Sequence, residues 1–166
     1  MLGVVVVALV LAGCGGPSSD EQDRDSAIYA AMIRWFVTTH PPAAMQDPDD
    51  LPTVYIEPLG ADEVPIEIQV EVIDLLADFV VVRFTDEREE SVEESVDGQP
   101  VHDGSILIGL APIPTGEAVA VRGEVYRSAD EISGYLVTVE HLGSGRCGVT
   151  GTPIDVPVEG LAPVAD

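Results

Sequence analysis

The 166-residue chain contains no lysine, and its only basic side chains are seven arginines set against 30 aspartates and glutamates. The formal net charge is −23. Phosphate binding needs a cationic footprint, so nucleic acid is excluded as a partner. An anionic membrane surface repels the chain for the same reason. Absence of lysine also removes Schiff-base and Ser–Lys chemistries. Cysteine is almost as scarce, with Cys14 and Cys147 alone, too few for a Cys-rich zinc site and too far apart for a C-x-x-C pair. There is no G-x-S-x-G elbow and no H-E-x-x-H pair. Long apolar runs are missing as well. The uncharged stretch of residues 2–12 is too short for a hydrocarbon core of ~30 Å at ~1.5 Å per residue. Its length suits the apolar region of a secretory signal peptide, usually ~7–15 residues.

That stretch closes on Leu11-Ala12-Gly13-Cys14. An aliphatic residue, two small residues and a cysteine in this order resemble the lipobox of bacterial lipoproteins. The resemblance implies that Cys14 receives a diacylglycerol on sulfur and becomes the new N-terminus. It places the protein on the extracytoplasmic face of the cell membrane, with the membrane as its partner through lipidated Cys14. Only the amino group of Met1 is positive ahead of the run, which predicts a translation start a few codons upstream. One acyl chain binds reversibly at ~0.8 kcal/mol per buried CH₂, and two or three anchor firmly. Gly15, Gly16, Pro17, Ser18 and Ser19 read as a flexible tether. The expected division is a signal peptide over 1–13, a tether over 14–21, one domain over 22–152 and an irregular tail over 153–166. That leaves about one domain of ordinary size. With Cys14 acylated, Cys147 has no disulfide partner and reads as an inert thiol at an apolar strand position.

Within the domain, Ser18 with Glu21 has the spacing of a capping box. Ile28, Ala31, Met32, Trp35 and Phe36 then recur at helical spacing, which predicts a helix over 22–38, stopped by Pro41 and Pro42. TVYIE alternates as a short strand. PIEIQVEVIDLLAD begins as an alternating strand pattern, but alternation fails after Val72. Glu67, Glu71, Asp74 and Asp78 step by four, three and four, as do Ile66, Val70, Ile73 and Ala77. Pro65 suits a first helical position, and the segment is read as a second helix. FVVVRFT, almost wholly apolar, is expected to be a central strand. Residues 86–104 read as a solvated excursion, and SILIGL, EAVAVRGEVYRS, GYLVTVEHL and RCGVTG follow as strands, the last two joined through Gly143, Ser144 and Gly145.

The expected fold is α+β, with two helices on one face of a mostly antiparallel sheet of about six strands; an NTF2-like cone is the alternative. The series VYI, VRFTD and YLVTVEHLGSGRCGVTG also resembles a group of uncharacterised secreted proteins of high-GC bacteria. In that group a tryptophan commonly stands where this chain has Cys147. The resemblance implies a fold and no activity.

Candidate chemistry is sparse. His102, Asp103, Gly104 and Ser105 bring an imidazole, a carboxylate and a hydroxyl together, but sequence neighbours rarely face one another as a triad requires, and Asp-Gly is ordinary turn chemistry. His40 and His141 read as structural or solvent-exposed. Asp47, Asp49 and Asp50 invite a calcium loop, yet Pro52 and Pro58 fall where an EF-hand needs Gly and Glu. The densest acidic run is Asp86, Glu87, Glu89, Glu90, Glu93, Glu94 and Asp97. It reads as a solvated face, with a cation or a basic partner as the functional alternative. No pair among so many carboxylates can be singled out as a glycosidase acid and nucleophile. No catalytic residue, metal site or cofactor is expected. The leading expectation is a lipid-anchored binding domain; the rival is a cell-envelope enzyme using carboxylates, with or without a bound cation.

Overall fold

The computed structural model describes residues 19–43, 51–60, 63–142 and 146–161. Its elements are α1 (Ser19–Thr39), β1 (Thr53–Pro58), α2 (Ile66–Leu76), β2 (Val81–Phe84), β3 (Ile106–Leu110), β4 (Ala118–Ser128), β5 (Glu131–His141) and β6 (Cys147–Val156). Six strands form one sheet in the order β2-β1-β3-β4-β5-β6. Strands β3 to β6 pair antiparallel. The chain is therefore an α+β protein with a mostly antiparallel sheet. The segment 66–76 is helical, as its spacing predicts. Among the described residues no helix is long and apolar enough to cross a membrane.

The parallel part of the sheet explains the rest. β1 pairs parallel with both β2 and β3, so the chain must return to the starting end of the sheet twice. The first return is α2. The second is the excursion from Thr85 to Ser105, which crosses the face opposite the helices. It is not simply solvated: Val92 and Val101 are buried in a second apolar cluster with Tyr55, Leu107, Tyr126 and Leu161, and they bridge to each other.

On the helix face the core joins Ile28, Met32, Ile33, Phe36 and Val37 of α1 and Ile68, Val72 and Leu76 of α2 to Val54, Ile56, Ile106, Ile108, Val121, Val125 and Val137 of the sheet. β3 is covered on both faces and buried throughout, which is why its apolar run is continuous. β2 corrects an expectation, since it is an edge strand rather than a central one. Its Val82 faces the helices, whereas Val81 is 42% exposed on the other side. Its length is four residues, because part of the apolar run, Phe79 and Val80, packs before the strand begins.

The tail also differs from expectation. β6 continues to Val156, with two register segments either side of a bulge opposite Leu136 and Thr138. Gly151 at φ 69° and Pro153 lie in that bulge, on an edge strand where proline costs no ladder bond. Beyond it, residues 157–161 fold back over the second face, and Leu161 is fully buried.

One carboxylate fastens this return. Glu124 of β4 has no exposed surface. Its Oε1 accepts from the Glu159 amide at 2.9 Å and from Arg122 Nη2 at 2.8 Å. Its Oε2 accepts from the amides of Gly160 at 3.1 Å and Leu161 at 2.8 Å. Burial alone would raise the Glu124 pKa, but these donors outweigh it and hold the carboxyl below its ordinary 4.5. Arg88 clamps the same segment from above, donating to the carbonyls of Gly160 at 3.0 Å and Leu161 at 3.2 Å while it pairs with Glu57 at 3.2 Å.

Two predictions follow from this packing. Glu124→Gln keeps the shape but turns an NH₂ toward backbone donors, so stability at neutral pH should drop by about 3 kcal/mol. A group with a depressed folded pKa stabilises above its unfolded pKa and loses that contribution as pH falls through the folded value. The gap between wild type and variant in urea unfolding should therefore narrow in acid; a gap that is absent at neutral pH, or constant with pH, contradicts the assignment. Separately, a Cβ on Gly123 would lie 2.6 Å from Phe36 Cε2 and 2.7 Å from Cζ. Gly123→Ala should cost about 1–3 kcal/mol through overpacking, read as a lowered urea midpoint.

Candidate functional site

Several candidates named from sequence are engaged in structural roles. The Ser105 hydroxyl donates to the Thr53 carbonyl, tying β3 to the start of β1. Asp103 at φ 55° and Gly104 at φ 65° form the left-handed turn that precedes β3. His102 Nδ1 lies 3.7 Å from Glu93 Oε1, so the imidazole faces the acidic excursion rather than Ser105. Of the acidic run, Glu90 accepts from the Thr85 hydroxyl at 3.0 Å, and Arg88 turns inward to Glu57. Among the described residues no group of three or more His, Cys, Asp or Glu side chains is placed to hold a metal ion. Cys14, Asp47, Asp49, Asp50, Gly143, Ser144 and Gly145 lie outside the described residues.

His40, just past α1, stacks into an aromatic group. Its ring centroid is 5.3 Å from Tyr135 and 6.3 Å from both Trp35 and Phe36. Nε2 is buried without a hydrogen-bond partner. Burial, helped by the Arg127 charge and opposed by Glu131, pushes its pKa below the ordinary 6.5.

An open cleft of about 700 Å³ lies at the N-terminal end of α1. Asp20, Asp23, Arg24, Ala27 and Ile28 form its helical wall, and Gly116, Glu117, Ala118, Glu140, His141 and Cys147 form the strand side. Arg24 fixes the wall by donating to the carbonyls of Gly116 at 3.0 Å and Pro114 at 2.6 Å, and to Asp25 at 2.8 Å. Cys147 is half-buried, and its pKa is raised by burial against a lowering influence from Arg24. A thiol held protonated is a poor nucleophile. Asp20, Asp23 and Glu117 on an open rim can attract a cationic group, and sequence alone could not assemble them because two separate chain segments supply them.

A second feature lies on the outer side of α2. The core takes Ile68, Val72 and Leu76. The other apolar set, Ile66, Val70, Ile73 and Ala77, faces outward, with Ile66 63%, Val70 53% and Ile73 40% exposed. These residues repeat at i, i+4, i+7 and i+11, so they form one ridge. Glu67, Glu71, Asp74 and Asp78 run beside it, and among the described residues none of the four forms an ion pair. Both apolar sets are visible in the sequence; which one meets the sheet is not.

No protein-family model, curated protein or solved structure matches the chain.

The His40 environment carries a sign. A group with a lowered folded pKa leaves the unfolded chain to take up the proton first, so stability is complete above ~6.5 and declines as pH falls through it. His40→Phe should remove that decline. Urea midpoints measured across this range should converge, or cross in favour of the variant, toward acid; parallel curves would contradict the buried neutral imidazole.

Proposed function

We propose that the chain is an extracytoplasmic lipoprotein, anchored in the cell membrane through acyl chains on Cys14, whose domain binds a partner rather than catalysing a reaction. The observation that carries the anchor is Leu11-Ala12-Gly13-Cys14 at the end of an uncharged apolar run. Helix α1 starts at Ser19, five residues past Cys14, a spacing of at most ~18 Å of extended chain. The domain thus sits close to the bilayer while its charge keeps it off an anionic surface. The binding role is supported by the outward apolar ridge of α2, since exposed contiguous apolar surface on a soluble domain marks an interaction site.

A second reading, an envelope enzyme using carboxylates, is favoured by one observation: Asp20, Asp23, Glu117 and Glu140 line the same cleft as His141. On that reading a cation bound there, or at the acidic run 86–97, would supply the charge that these carboxylates lack. The cleft is open, and its thiol is held protonated, which favours recognition over chemistry.

The anchor is tested by fractionation. Full-length protein should partition with membranes and take up labelled palmitate, and Cys14→Ser should abolish both. Wild-type protein found soluble in the medium without acyl modification would overturn the proposal.

A further inference from the structure

We infer that the outer face of α2 is the docking surface for a cationic amphipathic helix of a partner protein, an inference that rests on the binding reading and names the partner's chemistry. The ridge of Ile66, Val70, Ile73 and Ala77 is about 16 Å long at ~1.5 Å per residue, the length of one helical contact read through i, i+4 and i+7 anchors. A helix whose own apolar stripe lies on this ridge brings its flanking positions over Glu67, Glu71, Asp74 and Asp78. Lysine or arginine there completes four charges that form no ion pair among the described residues. The acidic row lies along the ridge rather than around it, so it also sets the side on which the partner's cations fall.

The other occupants of such a face fit poorly. A second copy would bring its own four carboxylates to the seam, and a chain with no lysine and a net charge of −23 has little to offset them. An anionic lipid surface is repelled by the same row. The acidic excursion 86–97 has more charge but turns its apolar Val92 into the core, so it offers attraction without an apolar ridge. Charge and apolar contact coincide on α2.

The experiment uses full-length protein in phosphatidylcholine nanodiscs, with empty nanodiscs as the blank. The probes are two fluorescent amphipathic helical peptides of identical apolar stripe, one with lysine and one with glutamate on the polar face. Wild type should bind the lysine peptide and not the glutamate peptide. Ile66→Gln/Val70→Gln/Ile73→Gln should weaken binding at least tenfold, and so should Glu67→Gln/Glu71→Gln/Asp74→Asn/Asp78→Asn. Glu89→Gln/Glu90→Gln/Glu93→Gln/Glu94→Gln should change it less than twofold. Circular dichroism checks the fold, and the single variant Ile66→Gln, at the most exposed ridge position, should still lose about threefold should the triple variant unfold. Equal loss from the 89–94 variant would mean diffuse charge attraction and would overturn the docking surface. Equal binding of both peptides, lost with the ridge, would overturn the cationic partner while leaving the binding role standing. Binding of neither peptide would remove the ridge as a docking surface and, with it, the support for the binding role.

Discussion

The Glu124 carboxylate is the interaction on which the arrangement depends. A charged group with no exposed surface is tolerated only when its lone pairs are filled, and three consecutive backbone amides with Arg122 fill them. The same bonds decide where residues 157–161 go. With the Arg88 bonds to the Gly160 and Leu161 carbonyls they hold the chain after β6 across the second face, where Leu161 closes the cluster around Leu107 and Tyr126. Arg88 shares in this, because it reaches the carbonyls of the same residues while lying over the Tyr126 ring at 6.0 Å. Two arginines of a chain that has only seven are thus spent on fastening one segment.

The sheet has two different halves as a result. Around β1 and β3 both faces are covered, by helices on one side and by the excursion and the returning segment on the other. On β4 the second face is covered only at Glu124 and Tyr126, beneath the returning segment, and further along it Ala118, Ala120, Thr138 and Glu140 remain exposed. Parallel pairing requires long returns, and those returns cover the sheet wherever they cross it. The antiparallel half needs only short turns and is left open. Gly123, at the join, has no side chain because Phe36 of α1 occupies the space.

On the binding reading proposed above, function would belong to surfaces. Ser105, His102, Glu90 and Arg88 are drawn into local bonds that hold β3 and the excursion. Among the described residues the outward features include an acidic cleft at the start of α1 and an apolar ridge with an acidic border on α2. On the proposed lipoprotein reading, a domain tethered within a few residues of its anchor would present such surfaces to whatever else occupies the envelope, and its charge favours cationic neighbours.

The two helices, the six strands and the α+β class were readable in the sequence, because they rest on local periodicity: Ile28, Met32 and Phe36 recur at helical spacing, and Val119 and Val121 alternate with the smaller Ala118 and Ala120 and with Arg122. The stop at Pro41 and Pro42 and the left-handed turn at Asp103 and Gly104 are equally local. The position of β2 at an edge was not readable, since an apolar run looks the same whether a neighbouring strand or a helix covers it. Nor was the burial of Val92, Val101 and Leu161, single apolar residues in polar stretches, which depends on partners far away in the chain. The face of α2 shows the division most plainly. Spacing favoured a helix over 66–76 and singled out the stripe Ile66, Val70, Ile73 and Ala77, but only the sheet beneath decided that Ile68, Val72 and Leu76 became core and that this stripe was left exposed, because burial is settled by the surface an element meets and not by its own pattern.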